Sequence, residues 1–145
     1  MPDAFDLERF VTAQAPVYVR VLAELAAGHK RTHWMWFVFP QLKGLGASSM
    51  ARTYGIASLA EARAYLAHPL LGPRLRQCAG ILAGLEENDA REVMGHPDDL
   101  KLRSCLTLFA AAATEAKDQH LFDEVLAKFF AGVADPLTRE LLTSA

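Results

Sequence analysis

The chain has 145 residues, of which 52% are hydrophobic and 22% charged, and its formal net charge at pH 7 is -2. A chain of this size and composition buries its own core without disulfides or metals, which excludes a disordered protein and predicts a single domain over residues 1–145. The small negative charge excludes general nucleic-acid binding, although the basic run at residues 29–31 suits one phosphate group.

Neither a targeting segment nor a membrane span is predicted. Residues 1–6 lack a basic stretch followed by an apolar one, and no apolar run reaches the roughly 20 residues that a span needs. We therefore expect a cytoplasmic protein without membrane partners. Cys78 and Cys105 lie in apolar helical patterns and lack the spaced partners of a zinc site, so we expect buried free thiols, no metal and no cofactor.

The first helical pattern covers residues 7–25, with Asp6 placed to cap its start and Gly28 to end it. Pro16 interrupts this pattern, because proline has no N–H to donate and biases the residue before it away from helix. We expect a break near residues 14–15, and hence two helices or one sharp kink.

The central stretch, residues 33–46, contains both tryptophans of the chain, Trp34 and Trp36. As a strand, residues 34–39 would be apolar on both faces, so this segment is expected inside the protein and flanked by helices. Pro40 would end such a strand, and the glycine-containing turn after it lets the backbone approach a ligand closely.

Capping signals mark the next elements. A serine after Gly46 is placed to begin a short helix, and Ser58 with Glu61 forms a capping-box pattern for a helix that ends at residues 68–69. Helical spacing then continues to about Leu85, with a proline in the first turn.

The last third of the chain is predicted to be helical as well. A short helix at residues 90–94 precedes one that Asp98 is placed to cap and that runs to about Thr114. Because this helix is apolar on more than one side, we expect it at the centre of the fold. Helical spacing returns at residues 122–130, and Asp135 opens a short terminal helix.

These elements predict the fold class: mainly α, a compact multi-helix single domain with at most a short strand or small sheet near residues 34–39. No internal repeat, low-complexity tract or linker interrupts the pattern.

Five blocks of sequence cover much of the chain: LERFVTAQ at 7–14, GHKRTHWMWFVFPQ at 28–41, EARAYL at 61–66, DDLKLRS at 98–104 and TLF at 107–109. Through them the chain resembles a bacterial family of domains of unknown function, number 1810. The resemblance implies a compact, mostly helical fold, and the family has no established activity.

A weaker similarity is to the YbiA-like superfamily, and it rests on the order of helices and on an alanine- and leucine-rich helix before a lysine-bearing one. Some members of that superfamily break N-glycosidic bonds in phosphorylated sugar or ADP-ribosyl compounds. The similarity therefore implies a sugar-phosphate or nucleotide ligand, and it carries over no catalytic residue.

Aromatic and histidine side chains of the central stretch have two interpretations. Trp34 and Trp36 are either core bulk or a stacking platform for a base or sugar, and a buried indole N–H needs a polar partner. His33 is either a hydrogen-bonded structural histidine or a general acid or base. The polar residues after Pro40 form either an ordinary glycine turn or a small anion loop, without the Gly-Lys-Ser/Thr ending of a P-loop.

Lys101 and Ser104 lie one turn apart on the helix expected at the centre. The lysine either extends its ammonium to water or turns inward, where Asp98 or Asp99 can neutralise it. Such a pair binds phosphate or steers a proton.

Polar groups interrupt the apolar patterns at two places, the central stretch and the start of this later helix. An unpartnered buried polar group costs roughly 1–3 kcal/mol, so these groups are expected to face one another or a shared ligand. We therefore predict that Lys101 lies within hydrogen-bonding or one-water reach of the central stretch, in the same cleft as Trp34 or Trp36.

The sequence leads to one functional hypothesis and two rivals. The hypothesis is binding, or hydrolysis at the N-glycosidic bond, of a phosphorylated nucleoside, ADP-ribosyl or sugar compound in a pocket between residues 30–48 and the helix that starts at 98. The first rival is a non-catalytic protein-interaction module with an exposed apolar patch along residues 122–130. The second is a homodimer whose interface core is the aromatic stretch.

Each candidate residue has a role in the hypothesis. Asp98 or Asp99 would activate water, with His33 as a further acid or base. The other candidates would contact the phosphate, sugar or base of the ligand: Lys30, Trp34, Trp36, Gln41, Lys43, Gly44, Gly46, Ser48, Lys101 and Ser104.

Overall fold

The computed structural model describes residues 4–144 and contains ten helices in that range. In chain order they are α1 (Glu8–Gln14), α2 (Tyr18–Ala26), α3 (Met35–Val38), α4 (Ser49–Tyr54), α5 (Leu59–Ala67), α6 (Leu71–Gly84), α7 (Ala90–Met94), α8 (Asp98–Ala112), α9 (Ala116–Phe130) and α10 (Pro136–Ser144). Within the same residues, extended pairing is limited to one parallel bridge between Leu42 and Ile56. The predicted mainly α-helical class is confirmed.

No helix in residues 4–144 combines the length and the apolar character that crossing a membrane requires. The expectation that there is no targeting segment rests on residues 1–6, and residues 1–3 lie outside the described range.

The boundaries of α1 and α2 follow from a proline and a glycine. The predicted break is confirmed, because α1 ends at Gln14 and α2 begins at Tyr18. Gly28, with φ of 72°, follows the end of α2 in the left-handed conformation that glycine adopts without strain. The predicted cap at Asp6 is wrong: no side chain caps α1, and the Asp6 carbonyl accepts a hydrogen bond from Arg9 instead.

Two serine caps that the sequence predicts are present. Ser48 Oγ accepts the Ala51 N–H at 3.1 Å and starts α4, and Ser58 Oγ accepts the Glu61 N–H at 3.1 Å and starts α5. The Glu61 carboxylate pairs with Arg9 at 2.8 Å, so this capping residue also ties α5 to α1.

The central helix of the fold is α8, as its apolar pattern predicts. It contacts α5, α7, α9 and α10. Phe109 is fully buried, and its ring centroid lies 5.3 Å from that of Tyr65 and 6.2 Å from that of Phe122. A helix that is buried on several sides fixes the positions of its first-turn residues relative to the rest of the protein.

The segment 34–39 is a helical turn, so its interpretation as a strand is wrong. The Val38 N–H donates to the Trp34 carbonyl at 3.2 Å, which is a helical bond. A short apolar run does not distinguish a buried strand from a buried helical turn, because neither shows a polar face. The expected burial is confirmed: five of the six side chains are buried, Trp36 is half-buried, and α1 and α4 contact α3.

Both cysteines are free and buried, as predicted. Burial is the largest effect on each thiol, and it raises the pKa of Cys78 to about 12 and raises the pKa of Cys105 as well. Because the thiolate is the reactive form, we expect both to react slowly with Ellman's reagent in the native protein and quickly in denaturant. Rapid labelling of either cysteine in the native state would contradict this burial.

Candidate functional site

The loop between α2 and α3 is held by one buried carboxylate, Glu24. Its Oε1 accepts the N–H groups of Arg31 at 2.8 Å and Thr32 at 3.1 Å, and the Trp34 indole N–H at 2.9 Å. Its Oε2 accepts the Thr32 hydroxyl at 2.7 Å. Four donors on one side chain fix residues 31–34 against α2.

Burial raises the pKa of the Glu24 carboxyl, yet the hydrogen bonds donated by Arg31, Thr32 and Trp34 outweigh it and lower the pKa from 4.5 to about 2. Glu24 is therefore ionised at neutral pH, and oriented N–H and O–H groups stabilise its charge.

The pKa of Glu24 predicts a dependence of stability on pH. A carboxyl whose folded pKa is below its unfolded value stabilises the fold fully above pH 4.5, and this contribution disappears as the pH falls from 4.5 toward 2. The full loss amounts to roughly 3 kcal/mol, of which about 2 kcal/mol occurs between about pH 6 and about pH 3. Urea unfolding at about pH 6 and about pH 3 should show this loss in the wild type and a smaller one in Glu24→Gln. Equal losses of unfolding free energy in both proteins would contradict the lowered pKa of Glu24.

The loop fixed by Glu24 carries Lys30, whose side chain is only 5% exposed. Its ammonium lies 2.9 Å from Asp98 Oδ2, donates to the Thr32 carbonyl at 2.6 Å, and stands 4.9 Å from the Trp34 ring centroid. A nearly buried ammonium needs partners of this kind, because its desolvation is costly.

Asp98 bridges two lysines. The predicted cap at Asp98 is wrong. Asp98 is the first residue of α8, Pro97 occupies the capping position before it, and no side chain caps the helix. Its Oδ2 pairs with Lys30, and its Oδ1 lies 3.5 Å from the Lys101 ammonium. The positive end of the α8 dipole favours a carboxylate at this position.

Lys101 lies where the sequence predicts it, against the central stretch. Its ammonium is 5.3 Å from the ring centroid of Trp36, and the two side chains line the same cleft. Cation–π attraction and Asp98 together hold this half-buried lysine over the indole. Lys101 and Trp36 thus share a cleft, as predicted, whereas Trp34 is buried beneath Lys30. The polar partner of Lys101 is Asp98, which connects it to Lys30.

A cavity of about 350 Å³, which we call the cationic lobe, surrounds the Lys30 to Lys101 bridge. Its other lining residues are Arg31, His33, Met35, Trp36, Met94, Gly95, His96, Pro97 and Asp98. Three basic side chains and one carboxylate leave an excess of two positive charges when the histidines are neutral. Such a concave basic surface attracts anions.

A second cavity of about 410 Å³, which we call the apolar lobe, adjoins the first. Trp36, Pro97 and Lys101 line both lobes, and the two together are called the cleft below. The other lining residues of the apolar lobe are Gln41, Leu45, Gly46, Ala47, Ser48, Ala51, Leu100, Ser104, Asp135 and Leu137.

Asp135 and Ser104 are joined in the wall of the apolar lobe. Asp135 Oδ2 accepts the Ser104 hydroxyl at 2.8 Å and the Thr138 hydroxyl at 2.5 Å. Burial raises the pKa of Asp135, but these hydrogen bonds outweigh it and lower the pKa. The carboxylate is thus ionised and hydrogen-bonded, and it attaches the start of α10 to α8.

The structure brings most of the predicted site residues into one cleft. Those that line it are Lys30, His33, Trp36, Gln41, Gly46, Ser48, Asp98, Lys101 and Ser104. Lys43 and Gly44 line neither lobe. Trp34 is 1% exposed and is core bulk, with its indole N–H on Glu24. Asp99 lines neither lobe and pairs with His96 at 2.9 Å.

Sequence reasoning missed Glu24, His96 and Leu100 as parts of this region. Glu24 sits one residue before Leu25 and three after Val21, on the apolar side of α2, and both of those neighbours are buried. A carboxylate at an apolar position of a helical pattern is a signal that it has buried partners. No comparable local signal identifies Leu100 as a lining residue of the apolar lobe, because this depends on which side of α8 the other helices leave uncovered.

A larger cavity, about 560 Å³, lies between α7, α8 and α9. Three carboxylates and two guanidinium groups line it, so its charges nearly cancel. Four of these groups have partners within the fold. Asp99 pairs with His96, and Arg103 donates to the Val133 carbonyl at 2.8 Å. The other two carboxylates each accept a neighbouring backbone N–H. We therefore place the candidate site in the cleft and not in this larger cavity. In the part of the chain that the structure describes, no three His, Cys, Asp or Glu side chains are grouped for metal binding.

The fold and the cleft define a small, all-helical protein with a concave basic site. Residues 4–142 match the family described as "Protein of unknown function (DUF1810)", and the chain belongs to this family. It is similar to the crystal structure of the conserved hypothetical protein Rv1873 from Mycobacterium tuberculosis, at 55% identity and a TM-score of 0.93, over 97% of this chain and 99% of that one. No curated protein matches the chain. The family resemblance is confirmed, and neither match extends to the YbiA-like superfamily.

Proposed function

We propose that the protein binds a phosphorylated nucleoside, ADP-ribosyl or sugar compound in the cleft. The observation that carries this proposal is the bridge from Lys30 through Asp98 to Lys101, at the point where the two lobes meet beside Trp36. One carboxylate balances only one of the two ammonium groups, and Arg31 adds a further positive charge. A phosphate group placed there would complete the balance of charge.

The hydrolytic form of the proposal uses Asp98 as general base. Asp98 takes a proton from water while the water oxygen bonds to the anomeric carbon, and the C–N bond breaks with its electron pair moving to nitrogen. The leaving nitrogen takes its proton from water, because His33, the predicted acid or base, lines only the cationic lobe and contacts the phosphate end of the cleft. The weaker similarity to the YbiA-like superfamily supports the choice of an N-glycosidic bond.

Two observations favour the cleft over the rival interpretations. Phe122 and Leu126 are buried in the core, whereas Phe129 and Phe130 are half-buried and line the larger cavity, so apolar surface along α9 is confined to its end. The aromatic stretch, at residues 34–39, is covered by this chain's own helices, which favours a core role over a dimer interface.

Thermal unfolding with a panel of nucleoside phosphates and sugar phosphates tests the proposal. A ligand at about 100 times its Kd adds about 2.7 kcal/mol to the free energy of unfolding, which corresponds to a rise in Tm of roughly 5–10 °C. Chromatography of the same mixtures detects any released base. A panel in which no compound raises Tm would contradict the proposal, and stabilisation without base release would restrict it to binding.

A further inference from the structure

We propose that the two lobes divide the ligand, and that the ligand is a nucleoside 5′-phosphate: its phosphate binds in the cationic lobe and its base in the apolar lobe, where Gln41 reads the base edge. This inference rests on the proposed function and narrows its substrate class. It also assigns Gln41 as the residue that determines specificity.

The first step is the unequal distribution of charge. The cationic lobe contains Lys30 and Arg31 as well as the shared Lys101. Apart from that shared lysine, the charged side chain lining the apolar lobe is Asp135, and its carboxylate already accepts hydrogen bonds from Ser104 and Thr138. An anion is therefore favoured in the first lobe over the second, where Asp135 offsets the charge of the shared lysine.

The second step is the uncovered apolar wall. Leu100 and Leu137 are large apolar residues, yet each is 49% exposed, and both line the apolar lobe. Covering them with sugar hydroxyl groups would leave those hydroxyls without partners, which is costly. A flat heterocyclic ring covers the same surface favourably, and the volume of about 410 Å³ lies within the usual range of small-molecule pockets.

The third step is Gln41. Its backbone carbonyl accepts the Ile56 N–H at 2.8 Å, which fixes the residue at the lobe. Its half-buried side-chain amide makes no hydrogen bond to any other group within residues 4–144. An amide offers two donors and an acceptor, the combination that pairs with the polar edge of a nucleobase.

The fourth step is the junction. Trp36, Pro97 and Lys101 separate the lobes and line both of them. A ligand that spans the junction places its phosphate near Lys101 and its uncharged part past Trp36. A nucleoside 5′-phosphate has this order of parts, with the ribose between the phosphate and the base.

Calorimetric titration of the full chain with three kinds of probe tests the inference: the four common ribonucleoside 5′-monophosphates, ribose 5-phosphate and inorganic phosphate. We expect at least one nucleotide to bind about tenfold more tightly than ribose 5-phosphate. Gln41→Met should weaken the binding of that nucleotide about tenfold and leave the binding of ribose 5-phosphate unchanged. Gln119→Met, an exposed position that lines neither lobe, is the matched control and should change neither affinity.

The outcomes separate this inference from the proposed function. Failure of all three kinds of probe to bind the wild type overturns both. Binding of ribose 5-phosphate as tight as that of every nucleotide, or nucleotide binding that Gln41→Met leaves unchanged, overturns the division of the ligand alone. Thermal unfolding of Gln41→Met serves as a check on folding, and an unchanged Tm assigns any loss of affinity to the missing amide.

Discussion

Replacing Glu24 by glutamine is expected to lower the free energy of unfolding by about 3 kcal/mol. The carboxylate accepts four charge-assisted hydrogen bonds, three of them from N–H groups on one oxygen. The neutral amide oxygen accepts the same N–H groups more weakly, and the amide N–H₂ faces the Thr32 hydroxyl, which has to turn round and accept instead of donating. Urea unfolding monitored by circular dichroism measures the change.

Glu92→Gln is the matched control for this variant. Glu92 is an exposed glutamate of α7 whose side chain makes no hydrogen bond or ion pair within residues 4–144, so its replacement should change stability by less than about 0.5 kcal/mol. A Glu24→Gln variant as stable as the wild type would mean that these four hydrogen bonds do not hold the loop.

Replacing Lys101 by methionine is expected to weaken the binding of phosphorylated ligands about a hundredfold. The methionine side chain keeps much of the apolar stem that packs beside Trp36, but it removes the ammonium at the junction of the lobes. Because Asp98 retains Lys30 as a partner at 2.9 Å, the fold should stay nearly as stable. Calorimetric titration gives the affinity and thermal unfolding gives the stability.

Lys43→Met is the matched control, because Lys43 is an exposed lysine of the same stretch that lines neither lobe. It should bind the ligand as the wild type does. Equal losses of ligand affinity in the two lysine variants would indicate a general effect of charge and not a specific site. A Lys101→Met protein with unchanged affinity would rule out the junction as the phosphate site.

Local signals in the sequence predicted much of the fold. Ser48 and Ser58 begin helices because a short hydroxyl side chain satisfies an N–H of the first turn, and this depends on residues within four positions. The break around Pro16 is equally local. The central position of α8 was predictable because it is apolar on more than one side.

The parts that sequence reasoning did not predict depend on distant contacts. Asp98 resembles a helix cap locally, yet Lys30, from a loop 68 positions earlier, determines its partner. The helical turn at residues 35–38 is buried by α1 and α4, so it has no polar face. Without polar residues at a regular spacing, the sequence does not distinguish this turn from a buried strand. The cleft itself was predicted only as a meeting of two blocks, since its division into lobes depends on how α8 and α10 pack.

Whether the cleft is a ligand site is tested most directly by the indole N–H signals of the two tryptophans in a nitrogen–proton correlation spectrum. Trp36 lines both lobes, whereas the Trp34 indole is buried and bound to Glu24. During titration with a nucleoside 5′-monophosphate, the Trp36 signal should move and saturate while the Trp34 signal stays nearly in place. Two signals that do not move at saturating nucleotide, or a shift of the Trp34 signal alone, would contradict a ligand site at this cleft.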